Sequence, residues 1–235
     1  MYRFRQLPFQ ISHYFRNEKL RILTFAPSLQ TEKLMYLYGA SGHAKVIIDI
    51  LRDMGIPVLG AFDMNPALKE VGGIPVLGAE IEEELEQPVI ISIGDNSIRR
   101  RVAEKLEVAF GKAIHSTAII STSATIAEGT VVMQGAIIQA DATIGKHAII
   151  NTGASIDHDC QIGDYAHISP GAVLSGNVQV GEGTHIGAGA VVIPNLKIGK
   201  WCKIGAGAVV IRDIPDGVTA VGNPARIIKE HQTNI

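Results

Sequence analysis

The chain has 235 residues, and its 21 basic and 23 acidic residues leave a net charge of −2, which offers no field to draw in nucleic acid or an anionic membrane. No apolar run is long enough to span a bilayer. Aromatics are only 5% of the chain while glycine reaches 25 residues, a balance unlike an ordinary packed α/β core and suited to many tight turns of thin structure. The two cysteines, Cys160 and Cys202, make no disulfide framework and fit a reducing compartment, the cytoplasm.

Residues 1–34 carry six basic and two acidic residues among bulky apolar ones (Tyr2, Phe4, Phe9, Ile11, Tyr14, Phe15), with no clear period and no long apolar stretch of a signal peptide. A loose leader, an arm packing on another subunit and a membrane-surface segment all fit. Residues 35–112 alternate strand and helix. Met35–Tyr38 reads as a short strand, and Gly39-Ala-Ser-Gly42 as a turn. A helix is expected from about His43 to Met54, with Val46, Ile47, Ile50 and Leu51 on one face and Gly55 as its stop. A strand over Pro57–Phe62 ends at Asp63. Further on come an apolar stretch at Ile74–Leu77, a short helix at Ile81–Glu86, a buried strand at Pro88–Ile93, the turn Gly94-Asp-Asn96 and a last helix to about Glu107. Strand, glycine loop, helix, strand and acid is the plan of a small Rossmann-like sheet. The loop at Gly39–Gly42 departs from G-x-G-x-x-G, so a dinucleotide is disfavoured; a phosphate on its backbone N–H groups and simple tight turning both remain open.

From residue 113 an aliphatic side chain recurs every six positions without a break: Ile114, Ile120, Ile126, Val132, Ile138, Ile144, Ile150, Ile156, Ile162, Ile168, Leu174, Val180, Ile186, Val192, Ile198, Ile204, Val210. Four residues after most of them stands a small side chain, with Val178 and Leu196 as larger exceptions. A period of six fits neither an α-helix nor a half-buried strand; it fits a β-solenoid with one short strand per hexad. Three hexads close a triangular coil, and stacked coils supply one another's core. Cys160 and Cys202 occupy the small-residue position and read as packing residues. The chain thus divides into a leader (1–34), a Rossmann-like domain (35–112), the solenoid (113–228) and a tail (229–235).

The hexad pattern resembles that of the left-handed parallel β-helix (hexapeptide-repeat) acyltransferases. Together with Gly39-Ala-Ser-Gly-His43, Asp63 and Gly94-Asp-Asn96, it resembles the bacterial sugar O/N-acetyltransferases, most of all the UDP-4-amino-sugar N-acetyltransferases of the bacillosamine pathway. The resemblance covers roughly residues 35–228. It implies a left-handed helix, acetyl-CoA as co-substrate, no metal, a nucleotide-linked amino sugar as acceptor, and a homotrimer with active sites at subunit interfaces.

Acetyl transfer to an amine or hydroxyl needs a base and donors for the developing oxyanion. The triplet Asp157-His158-Asp159 by itself fits a solvated polar corner as well as a base held by a carboxylate; the resemblance implies that His158 is the base and Asp159 its activating partner. Asn151…Asp-His-Asp matches the family's Asn…Glu-His-Glu, and the shorter Asp159 leaves the hydrogen-bond geometry to be tested. By the same resemblance Asn151 lines the acceptor pocket and His167 contacts acetyl-CoA at the thioester carbonyl. Ala188 and Ala206 present backbone to the pantetheine arm, while Ser41, Gly42 and His43 lie near the nucleotide's phosphates, Asp63 and Met64 near its nucleoside, and Gly94 completes that wall. His158 and His167 are nine residues apart, one and a half faces of a coil, so they can meet only across a subunit interface. His185 and Gly176 should sit one coil above His167 and His158; a bare Gly176 would let the thioester approach and offer its N–H to the oxyanion. Val221-Gly-Asn-Pro-Ala225 resembles the segment beside the CoA end of the groove, where Arg226, Lys203 or Lys229 would meet phosphates.

Other classes stay in view. Within acetyl transfer the alternatives are a hydroxyl acceptor, as in sialic acid O-acetylation, and an amino sugar carried on GDP or TDP. A zinc lyase built on His158, His167 and His185 across an interface, and a non-catalytic solenoid scaffold, are the alternatives outside acetyl transfer. No cysteine is placed for an acyl-enzyme, which favours direct transfer.

Overall fold

The computed structural model describes residues 34–81 and 85–231. The expectations for the leader, and for residues 82–84 of the short helix at Ile81–Glu86, lie outside the described residues. The α/β region begins with β1 (Met35–Tyr38), α1 (Gly42–Asp53) and β2 (Val58–Phe62), then the hairpin of β3 (Glu70–Val71) and β4 (Ile74–Gly78), β5 (Val89–Ile91) and α2 (Asn96–Lys105). The sheet order is β3-β4-β2-β1-β5, parallel apart from the β3–β4 pair. Strands are shorter than expected at Pro57 and Pro88, which have no N–H to give to a ladder. The order reverses at β1, so the loops leaving β1 and β5 flank the crevice where such sheets bind ligands. They touch: a Cβ on Gly39 would lie 2.8 Å from Ile93 Cγ1.

The buried stripe of α1 (Ala44, Ile47, Ile48, Ile50, Leu51) joins Val131, Met133 and Ile149 in one apolar cluster. The helix therefore packs against both its own sheet and the early coils.

The remainder is a parallel β-helix. Strands of two residues follow one another every six positions, from β6 (Ala113–Ile114) to β22 (Val209–Val210). Each pairs with the strand a full coil away, as in Ile138↔Ile156, so three flat sheets run up the three sides. The second residue of each strand is the periodic aliphatic and points inward; the small residue before the next strand is buried with it because the corner leaves no room for more. Ile114, Ile120 and Ile126 are only partly buried, having no coil beneath them. At the far end β23 (Val218–Val221) continues the first sheet and β24 (Arg226–Glu230) folds back antiparallel, so the last strand extends past residue 228 into the expected tail. Among the described residues no helix is long and apolar enough to cross a membrane.

Candidate functional site

The first, outward residue of each short strand distinguishes the three sides. On the side begun by β6 these residues are Ala113, Val131 and Ile149, then His167, His185 and Lys203. The apolar trio lies in the cluster built around α1; the polar trio follows above it. The rings of His167 and His185 stack with centroids 4.7 Å apart and 7° between planes. Asn151 Oδ1 accepts from the Thr152 N–H at 2.8 Å, which leaves its amide NH2 to donate to His167 Nε2 at 3.0 Å. His167 is thereby the Nδ1–H tautomer. His185 Nε2 pairs with Ser169 Oγ at 2.7 Å. Burial, reinforced by the charges of His185 and Arg99, pulls His167 down to about 3. Burial and Arg99 pull His43 down to about 4. Both rings are neutral at physiological pH, and His43 Nε2 and His167 Nδ1 are buried without a hydrogen-bond partner among the described residues.

Beside them stands the loop after β1. Gly39 N–H donates to Phe62 O and Ala40 N–H to Asp63 Oδ2, each at 2.7 Å, while Asp63 Oδ1 accepts from Asn65 N–H at 2.8 Å. Asp63 is thus first of all a brace for the glycine loop: each oxygen already serves one backbone donor. Ser41 caps α1 with no side-chain bond, and the N–H groups of Gly42 and His43, in the helix's first turn, have no acceptor among the described residues. These are the orphan donors that bind anions at a helix start. Met64, beyond Asp63, is 76% exposed.

The second half of the site is on another corner. His158 follows β13 (Ser155–Ile156), where the chain turns from the second side to the third. Its N–H donates to Asp157 Oδ1 and its Nδ1–H to Asp159 Oδ2, both at 2.7 Å. Asp159 has φ 61°, and that left-handed turn brings its short carboxylate back onto the ring. The bond to Asp159 and then the charge of Asp157 raise the His158 pKa, and Nε2 has no hydrogen-bond partner among the described residues. Gly176 is one coil above, and a Cβ there would lie 2.6 Å from His158 Nε2. The missing side chain therefore seats the imidazole itself, while the Gly176 N–H remains unbonded among the described residues. A groove of about 740 Å³ opens here, with Asp141, Gln161, Asn177 and Asn195 around the pair.

Ala188 and Ala206 are exposed on the corner between the first and second sides, one coil apart, with the Gly207 N–H donating to Ala188 O at 2.8 Å. The two halves therefore flank the second side, and one chain does not bring His158 to His167. That separation leaves His158 away from the stacked pair, and no metal-binding group of three or more His, Cys, Asp or Glu occurs among the described residues.

Residues 35–106 match the family described as the PglD N-terminal domain, and residues 141–176 and 177–212 match the bacterial transferase hexapeptide (six repeats). A mutant of perosamine N-acetyltransferase from Caulobacter crescentus, solved with CoA and GDP-perosamine, is 39% identical over 83% of this chain and 97% of that one, with a TM-score of 0.79. The acetyltransferase domain of PglB from Neisseria gonorrhoeae, solved with acetyl coenzyme A, is 37% identical over 84% of this chain and 100% of that one, with a TM-score of 0.80. The chain belongs to the left-handed β-helix sugar N-acetyltransferases. It also matches a curated relative, an uncharacterized protein of Acanthamoeba polyphaga mimivirus, at 34% identity over 97 residues, 40% of this chain and 20% of that protein's length.

In this family member the sequence reasoning missed Arg99. It is 1% exposed and satisfied entirely by neutral oxygens, among them the carbonyls of His147 and Tyr165. Those two rings stack at 5.3 Å and 1°, and both residues have positive φ, 52° and 57°. Bulky residues rarely adopt that conformation. No local pattern marks Arg99, because the carbonyls of His147 and Tyr165 that receive it lie 48 and 66 residues further along the chain.

Proposed function

We propose that this chain transfers acetyl from acetyl-CoA to the 4-amino group of a nucleoside-diphosphate-linked sugar, as a homotrimer, with His158 as general base. The observation that carries this reading is the His158–Asp159 pair: Nδ1–H is given to the carboxylate, Nε2 is free, and the Gly176 N–H is unused beside it. In the proposed step the amine nitrogen attacks the thioester carbonyl carbon and His158 Nε2 takes the amine proton. Gly176 N–H supports the oxyanion. The carbon–sulfur bond then breaks, and the imidazolium returns the proton to the departing CoA sulfur. Ser41, Gly42, His43 and Gly94 would hold the diphosphate and Met64 the nucleoside, with Asn151 and His167 toward the reacting end. Ala188 and Ala206 line the pantetheine path.

The trimer has support of its own. The outward residues of the second side are Ile119, Ile137, Ser155, Val173, Val191 and Val209, an aliphatic strip flanked by both half-sites, with Ile119 64% exposed. A second copy laid on that strip completes the site. The third side, by contrast, shows Thr125, Thr143, Gln161, Gln179 and Lys197.

The resemblance favours UDP, and the enzyme solved with GDP-perosamine favours GDP. CoA release measured with UDP-, GDP- and TDP-linked 4-amino sugars and free sialic acid decides among them. Release with one nucleotide amino sugar is expected, and His158→Ala should lower its turnover ~10²–10⁴-fold with little change in binding. Release with only a hydroxyl acceptor would move the reaction to O-acetylation, and unchanged turnover in the variant would remove His158 as base.

A further inference from the structure

Arg99 lies in the second turn of α2, a helix capped by Asp95, and its side chain leaves the helix for the interior. A guanidinium taken out of water is costly unless every donor is met. Here all five N–H groups are met. Nε–H goes to His147 O at 2.8 Å; Nη1 reaches Ile93 O at 2.9 Å and Gly94 O at 3.2 Å; Nη2 reaches Asn96 Oδ1 at 2.8 Å and Tyr165 O at 2.9 Å. Asn96, held this way, donates its own amide to Gly183 O at 3.0 Å. A hydrophobic bolt would serve mere adhesion at lower cost. What only the planar five-donor group does is fix three backbone segments at once: the loop leaving β5 and two successive turns of the β-helix. The second of those turns, at Tyr165, is two residues before His167. The guanidinium charge also helps keep His43, His147, His167 and His185 unprotonated.

We propose that Arg99 is a positioning residue of the acceptor site, its guanidinium setting the Gly94 wall of the nucleotide loop at a fixed height over the His167–Asn151 pair. The inference rests on the acetyl-transfer reading above, in which one acceptor molecule spans from the diphosphate loop to Asn151. A displacement of about an ångström between those two ends misplaces the amine and costs rate on the order of 10²-fold. The acetyl-CoA path, along Ala188 and Ala206 on a different corner, does not depend on the clamp.

The test is steady-state kinetics on Arg99→Lys and Arg99→Met, with melting curves, varying nucleotide amino sugar and acetyl-CoA separately. Both variants should lose ~10²-fold in kcat/KM for the nucleotide sugar, while KM for acetyl-CoA stays within about twofold. Lysine keeps a charge but not the fork, so it should not rescue. Should either variant fail to fold, Asn96→Ala removes one acceptor and leaves the guanidinium buried; it should show the same one-sided loss, about tenfold. A KM for acetyl-CoA that rises well beyond twofold, losses that match the unfolded fraction, or rescue by lysine would overturn the assignment while leaving the acetyl-transfer reading intact. A wild-type chain that releases no CoA with any nucleotide amino sugar overturns that reading first, and this one with it.

Discussion

His158 and His167 carry the same ring in opposite settings. His158 stands in solvent between two carboxylates, and its pKa is raised; His167 is half-buried, with its Nδ1 out of water and other basic groups beside it, and is held at about 3. Of the two, His158 is the one poised to exchange a proton near neutral pH, and in the proposed reaction it would act as a base only when neutral. The rate kcat/KM should therefore rise with pH through a limb above the ordinary histidine value of about 6.5. Asp159→Asn removes the largest cause of the shift, so that limb should move to lower pH as the rate falls. A pH–rate profile of both proteins checks this, and an identical limb in the variant would detach Asp159 from the base. The pairing of His158 with Asp159 was legible in the sequence because both partners sit in one turn. The His167–Asn151 bond was not, since it joins residues sixteen apart that only the coil stacks together.

At the scale of the element, the hexad repeat specified each strand from β6 to β22 because each coil presents the same demand: one branched aliphatic inward, one small residue at the corner. The outward positions answer to whatever covers each side, and their composition differs accordingly. In the proposed trimer the aliphatic second side would receive the other subunits. Val173→Asp on β16 (Val173–Leu174) leaves the inward Leu174 in place, so the coil should still fold. Burying an unpaired carboxylate in a subunit contact is unfavourable, so sedimentation should fall from about three times the 25.1 kDa chain toward the monomer, with activity lost in parallel. A wild-type chain that is already an active monomer would remove the interface. Helix α2 shows the limit of pattern reading: its Arg99 looks like one more charge on a solvated surface until the turns at His147 and Tyr165 are in place around it.

For the whole molecule, the buried neutral histidines have a consequence for stability. His43 and His147 titrate at about 4 in the folded chain and His167 at about 3, against about 6.5 unfolded. The unfolded chain therefore binds more protons in that window, and stability rises with pH across it. Their contribution is complete above about pH 6.5 and is lost as pH falls toward 4. Thermal denaturation should show a midpoint near its highest value at neutrality and dropping between about pH 6.5 and 4.5; a flat midpoint over that range would mean the three rings are hydrated rather than buried. The sequence by itself determined the β-helix, its coil length and the glycine-loop sheet that precedes it, because those depend on spacings within one or two turns of chain. Only the tertiary structure decided which side of the solenoid α1 and the loops of the sheet cover, which histidines are kept neutral, and that a buried guanidinium joins the two regions. Such contacts depend on the orientation of one region over the other, and that orientation leaves no period in the chain to read.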